Sequence, residues 1–493
     1  MDRRQFLRLA GSVAAGAGVA ACSPLYRQLS GLPDPAQAWP SLSLSDFRGL
    51  SRLTYGPLPA ERTQVLQIGL AAWIEEQLSP SGIQDEGVEW RLRPLDALRL
   101  GAGSLSSWEA EDVILQLQQG ALLRQVYSRR QLLERMVEFW TDHFNITVRK
   151  GDGWFLKPTD DRQVIRAHAL GDFGELLWAS AHSPAMLVYL DNQANLKEAP
   201  NENYARELLE LHTLGVEGGY TQQDVMELAR CFTGWTVKRH FWAGQFRFDD
   251  DLHDPGGKHP LGLQIRPEGQ REAERVLQHL AQHPATALRL ARKLVRRFVT
   301  EQEDQSAVAL AERAVHALRK TNGSIAGMLR VVLLDGLTGA RPIWGPKLKR
   351  PVDVVASALR LLRAETDGGE ALQQALQAMG QPPFQWPTPD GPPDDSQFWS
   401  TNLLPRWNFA IGLARNEMKG TRLDLPALLG PLAPPDPQAA LDSLGELLLG
   451  APLELAQRDL LLAALGEGAG QDPAGLPSLV TAGLLASPAY QWH

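Results

Sequence analysis

The sequence predicts a mainly α-helical fold: one large multi-helix unit with one short β-hairpin near residues 236–249. Apolar residues recur at helical spacing along most of the chain after Asp46. Period-two alternation is convincing only around Phe246 and Phe248. No internal repeat at solenoid period interrupts this pattern. The 493 residues are 44% apolar, an ordinary globular share that excludes a disordered or collagen-like chain. The net charge is −8, from 49 Lys+Arg against 57 Asp+Glu, and there is no long basic run. That balance argues against a nucleic-acid surface.

The first 22 residues read as an address. Arg3-Arg4-Gln5-Phe6-Leu7 resembles a twin-arginine export signal, which implies passage through the twin-arginine translocon in folded form. Leu9 to Ala21 is mildly apolar, rich in Gly and Ala, and shorter than the ~20 residues a bilayer span needs. Val19-Ala20-Ala21-Cys22 resembles a lipoprotein cleavage box, with Cys22 as the lipidated new N-terminus. Its acyl chains, at ~0.8 kcal/mol per methylene, would hold the protein on a membrane. The alternative is ordinary cleavage after Ala21, leaving a soluble periplasmic protein. Removing residues 1–21 takes away Arg3, Arg4, Arg8 and Asp2, so the mature chain counts 46 basic against 56 acidic residues, net −10. Residues 22–45 form the lipid attachment and a Pro- and Ser-containing tether, and 46–489 form the helical domain. Cys231 is then the sole mature cysteine besides Cys22, so no internal disulfide is expected, and it reads as a small buried hydrophobe.

Helices are expected near 46–54, 59–78, 109–128, 130–146, 160–181, 203–214, 222–232, 268–299, 305–319, 324–337, 350–364 and 370–379. Three more are expected at 438–448, 453–465 and 475–486. In 130–146 the stripe is Leu133, Met136, Val137, Trp140 and Phe144; in 203–214 it is Ala205, Leu208, Leu209 and His212. Thr221 and Asp224 have the spacing of a capping box that opens 222–232, and Gly234 stops it. His240-Phe241-Trp242 is the expected partner of Phe246 and Phe248 in the hairpin. Residues 381–395 hold six prolines and cannot be helix; they form a surface strap or a break before a C-terminal helical segment.

Several blocks resemble a bacterial family catalogued as domain of unknown function 1800. They are Leu53-Thr54-Tyr55-Gly56-Pro57, residues 134–144, residues 201–215, Gly219-Tyr220-Thr221, Thr233-Gly234-Trp235, His253-Asp254 with Gly256 and Lys258, residues 386–391, and 484–488. The resemblance covers about residues 46–489. It implies export, a mainly helical fold and genomic pairing with an exported family related to sulfatases, which makes such a protein a candidate partner. It implies no reaction.

The candidate catalytic residues are His143, His212, His253, Asp254 and Lys258. His143 and His212 both face inward. At 100° per residue Glu138 lies about 140° from His143, so one helix cannot offer both to one metal. Neither helix carries a HExxH pattern. They are either hydrogen-bonded core histidines or two groups lining one internal cavity, as acid–base groups or as ligands of a divalent metal from different helices. A glycine turn at Gly256-Gly257 lets His253, Asp254 and Lys258 converge from a loop, as an acid–base pair, as metal ligands, or as a solvated acidic turn. Asp191, Asn192, Asn201 and Glu202 concentrate oxygen donors before a helix; they suit a hard cation or, equally, helix capping. Trp386, Phe384 and Trp399 around the strap either pack it onto the core or stack on sugar rings. No GxSxG elbow, P-loop, dinucleotide fingerprint or CxxC pair occurs. Two functions follow: an exported metal-assisted or acid–base enzyme on an envelope or extracellular polymer, or a non-catalytic helical scaffold that binds an envelope partner.

Overall fold

Amphipathic stripes become helices, and glycine and proline decide where they stop. The structure is a computed structural model that describes residues 39–238, 244–338, 342–429, 437–469 and 475–493. The export and lipidation signals, with Arg3, Arg4 and Cys22, lie outside the described residues. The principal helices are α1 (Leu44–Leu53), α2 (Ala110–Tyr127), α3 (Gln131–His143), α4 (Phe173–Ala181), α5 (Asn203–Glu207) and α6 (Gln222–Cys231). After a hairpin come α7 (Arg271–Gln282), α8 (Pro284–Phe298), α9 (Gln305–Lys320), α10 (Ile325–Leu337) and α11 (Pro351–Leu361). The C-terminal part adds α12 (Leu403–Ala414), α13 (Pro437–Leu449) and α14 (Leu476–Ala486). The chain is mainly α.

Several expected helices are divided, each for a local reason. The 59–78 segment breaks at Gly69, whose φ of 81° is left-handed. The 268–299 segment breaks at His283, which is extended because Pro284 follows. The 160–181 segment is interrupted by a π-helical turn at Asp161–Ile165, and α4 restarts where Asp172 accepts from the Glu175 N–H at 3.1 Å. The 203–214 segment passes from α5 into a π-helical turn at Leu208–His212. The Thr221–Asp224 capping box forms as expected.

β1 (Trp235–Val237) and β2 (Phe246–Phe248) pair antiparallel, with Trp235 opposite Phe248 and Val237 opposite Phe246. The strand partner is therefore Trp235–Val237; His240, Phe241 and Trp242 lie outside the described residues. A second pair, β3 (Glu365–Thr366) with β4 (Thr421–Arg422), joins segments on either side of the strap and has no period-two signal in the sequence.

Two apolar cores form. One gathers Met136 and Trp140 of α3, Leu176 of α4, Val276 of α7, Leu290 and Leu294 of α8 and Leu329 of α10. The other gathers Leu117 of α2, Val355 and Leu359 of α11, Leu413 of α12, Leu441 of α13 and Leu484 of α14. Residues before and after the strap thus share one core. A seam of buried charge runs where α3 meets the start of α11. Arg135 pairs with Asp353, Arg350 pairs with Glu138, and the Tyr55 hydroxyl donates to Glu138 at 2.5 Å. Partnering makes this burial tolerable.

Candidate active site

His143 is the last residue of α3 and is buried. Its Nε2 lies 3.1 Å from the His212 carbonyl oxygen, so Nε2 carries the proton and donates. Nδ1 is left as an acceptor, and the Lys293 Nζ donates to it at 2.9 Å. The two imidazoles lie 6.1 Å apart, and Phe144 packs against both. His143 and His212 therefore do come together, as neighbours that organise a lysine. The π-helical turn ending at His212 is the element that supplies this carbonyl.

Lys293 comes from α8. That helix buries Leu290, Ala291, Leu294 and Phe298 and sets Arg289, Lys293, Arg296 and Arg297 on its opposite side at i, i+4, i+7 and i+8. The proline strap closes over this face. Gly391, with φ 75°, makes the approach: a Cβ there would stand 2.1 Å from the Asp142 carbonyl oxygen. The Asn145 amide donates to the Trp386 and Thr388 carbonyls at 3.0 and 2.7 Å, the Tyr189 hydroxyl to Pro387 at 2.9 Å, and the Trp399 indole to Pro393 at 2.7 Å. The strap is ordered, and Trp386 packs against Phe398 and Trp399.

Between α3, α8 and the strap lies a cleft of about 370 Å³, lined by Phe139, Asp142, Arg289, Lys293, Arg296, Arg297 and Asp390–Asp395. Its charges are not equally engaged. Arg297 pairs with Asp142 at 2.6 Å and Asp394 at 3.1 Å, and Lys347 also holds Asp394 at 2.7 Å. Arg350 reaches Asp142 at 2.8 Å. Lys293, Arg289 and Arg296 have no carboxylate within ion-pair distance among the described residues, although Arg289 donates to the Leu211 carbonyl at 3.2 Å and Arg296 to the Asp394 carbonyl at 3.1 Å. Burial, with the charge of Arg289, pushes the Lys293 amine down to about 7. Burial and the adjacent Lys293 hold His143 well below its ordinary value, and burial pushes His212 down to about 3. Both imidazoles are neutral. The cleft thus offers an amine near neutrality, a neutral imidazole that fixes its position, and two cations free to meet an anionic group.

His253, Asp254 and Lys258 lie apart from this cleft. Lys258 and His253 are buried around Glu272 of α7. The Lys258 Nζ donates to Glu272 Oε2 at 2.5 Å and to the Asp254 carbonyl, and His253 Nε2 lies 3.2 Å from the same Glu272 oxygen. His253 Nδ1 donates to the Thr233 carbonyl at 2.8 Å, and Glu272 Oε1 accepts the Glu268 and Gly269 N–H groups at 2.8 and 3.1 Å. Burial alone would raise the Glu272 carboxyl, but His253 and Lys258 hold it below its ordinary value. The Asp254 carboxylate faces away, toward Arg230 at 2.7 Å and the Gly256 N–H at 2.7 Å. Every donor in this group is occupied within the fold, so it reads as a structural lock between the loop and α7.

The polar loop is likewise knitted into the backbone. Asp191 pairs with Lys150 at 2.8 Å. The Asn192 amide donates to the Trp235 carbonyl at 3.1 Å, and Asn201 Oδ1 accepts the Asn203 N–H at 2.9 Å. Glu202 accepts from Arg206 at 2.8 Å and from Gln222 at 2.7 Å. Among the described residues no three His, Cys, Asp or Glu side chains are grouped as a metal site. Cys231 is fully buried, and burial pushes its thiol up to about 12.

Residues 48–492 match the family described as "Protein of unknown function (DUF1800)". The chain belongs to this family. No curated protein and no solved structure matches it. Two of the blocks that carry the DUF1800 resemblance line the cleft, 134–144 through Phe139 and Asp142 and 386–391 through Asp390 and Gly391, and the 201–215 block backs it through the His212 carbonyl that holds His143. The residue they surround, Lys293, belongs to none of them, and sequence reasoning missed it. The available signal was the basic stripe at i, i+4, i+7 and i+8 on α8, which by itself reads as a solvated helix face.

Proposed function

We propose that this DUF1800 protein is an exported, lipid-anchored acid–base enzyme acting on a carboxylate-bearing polymer of the envelope or extracellular space, with Lys293 as proton acceptor. The observation that carries the reading is the 2.9 Å contact of Lys293 with a neutral His143 at the wall of an open cleft. An amine near neutrality accepts a proton at working pH far better than an ordinary lysine. Arg289 and Arg296, which have no carboxylate partner among the described residues, meet the substrate carboxylate. Arg3-Arg4 and the box ending at Cys22 support the address: export through the twin-arginine translocon and attachment through lipid. Among the described residues no helix is long and apolar enough to cross a membrane.

A second reading, a scaffold for an exported sulfatase-related partner, is favoured by α12. There Leu404, Trp407 and Ile411 form an apolar stripe, 64%, 44% and 40% exposed.

The mature protein and its Lys293→Met variant are incubated with alginate and with polygalacturonate, and chain length is followed. The reading expects cleavage of at least one polymer by the wild type and none by the variant. Intact polymer in both cases contradicts it.

A further inference from the structure

Trp178 is 48% exposed on α4, yet it does not swing freely. Its ring stacks on His182 at 3.9 Å, and the His182 Nδ1 is 2.8 Å from the Trp178 carbonyl. His182 in turn packs on Trp235 at 4.4 Å and Phe246 at 4.7 Å, and Trp235 packs on Phe232 at 5.0 Å. A ladder of rings therefore ties an exposed indole to the core. Trp178 lines a groove of about 930 Å³ between α4, α7 and the C-terminal end of α9. The side chains of Gln278, Gln282 and Asn322 also line it, and none has a hydrogen-bond partner among the described residues. Asp172, Glu175 and Glu274 set three carboxylates against Arg319 on the same wall, with Glu274 also accepting from the Gln270 amide at 2.7 Å.

We propose that this groove binds a neutral glycan, with Trp178 as the platform under a pyranose ring. The chemistry favours a sugar over other ligands. A rigid indole face accepts the C–H face of a ring without loss of rotamer freedom. Primary amides offer a donor and an acceptor side by side, which suits adjacent hydroxyls. The excess of carboxylate disfavours an anionic ligand, no three of these groups are gathered to hold a metal ion among the described residues, and a single exposed aromatic amid polar side chains is not the contiguous apolar patch a protein partner would cover. The site is separate from the strap cleft and does not rest on the activity proposed for it.

The test is titration of the purified protein with maltohexaose, cellohexaose and chitohexaose, read by calorimetry and by tryptophan fluorescence. At least one hexaose is expected to bind the wild type. Trp178→Ala is expected to bind it about tenfold more weakly or worse, Trp178→Phe to fall between, and Gln278→Ala to weaken it. Trp178→Ala is expected to melt near the wild type because the ring is exposed. Lys293→Met is expected to bind as the wild type does, which separates this site from the cleft. Failure of all three hexaoses to bind the wild type, or equal binding by Trp178→Ala, overturns the proposal.

Discussion

Lys293 Nζ lies 2.9 Å from His143 Nδ1, and the same imidazole is fixed from its other side by the His212 carbonyl at 3.1 Å. The direction of both bonds follows from one proton. Because Nε2–H donates to the carbonyl, Nδ1 can only accept, and among the described residues the donor that reaches it is the lysine. The position of the amine thus depends on the π-helical turn that ends at His212. The histidines that stand out in the sequence position the lysine, which is the group that faces the cleft.

His143→Phe should retain ring packing against Trp140 and Phe144, now at 5.4 and 4.6 Å, while losing both hydrogen bonds. The stranded His212 carbonyl predicts a destabilisation of about 1–3 kcal/mol in urea melts. His212→Phe should cost less, because its Nε2 has no partner among the described residues.

Gly391→Ala puts a methyl 2.1 Å from the Asp142 carbonyl oxygen at a φ of 75°. Relief requires the strap to lift. The expected loss is roughly 2–4 kcal/mol, with new proteolytic cutting within 386–395. Unchanged protection of that segment would show that the strap does not depend on this approach.

Glu272→Gln leaves Lys258 buried without its carboxylate, and about 3–5 kcal/mol of stability should be lost. Lys258→Met alone should also destabilise, by stranding Glu272. The double variant Lys258→Met/Glu272→Leu should recover much of the loss. Strictly additive effects in this double-mutant cycle would deny the lock.

The lowered amine of Lys293 gives a pH dependence with a definite sign. Folded, Lys293 releases its proton near 7; unfolded, it keeps it to its ordinary 10.5. Between those values the unfolded chain holds one more proton, so stability contributed by this group rises with pH. The cost is fully present below 7 and gone above 10.5. The charges that act on the amine are Arg289 and Arg297, which lower it, and Asp142 and Asp394, which raise it. Wild-type stability should therefore gain on that of Lys293→Met as pH rises through this window, as measured by denaturant midpoints.

Much of the fold was legible because it rests on local rules. The capping box at Thr221, the inward faces of α3 and α6, and the aromatic alternation of β2 need only a few adjacent residues. The inward direction of His143 and His212 was legible too, but two inward faces left open whether the rings meet; their 6.1 Å separation is a tertiary fact. What was not legible depends on contacts across the chain. Lys293 meets a histidine 150 positions away, and a lone lysine on an amphipathic helix looks like any solvated one. Leu208–His212 has an ordinary helical pattern, so its π-helical turn gives no periodicity signal. Lys258 reads as a loop residue until Glu272 of α7 is placed against it. Helix α12 escaped because its apolar residues spread around the helix, Leu404 and Trp407 outward and Phe409 and Leu413 inward.

The central claim is that Lys293 is a near-neutral amine facing the cleft, and its own titration tests it most directly. Lysines labelled by ¹³C reductive methylation are followed by NMR against pH, with Lys293→Met assigning the signal. The account predicts a midpoint about 7, moved by His143→Phe. A midpoint at the ordinary lysine value of 10.5, unmoved by that substitution, would contradict it.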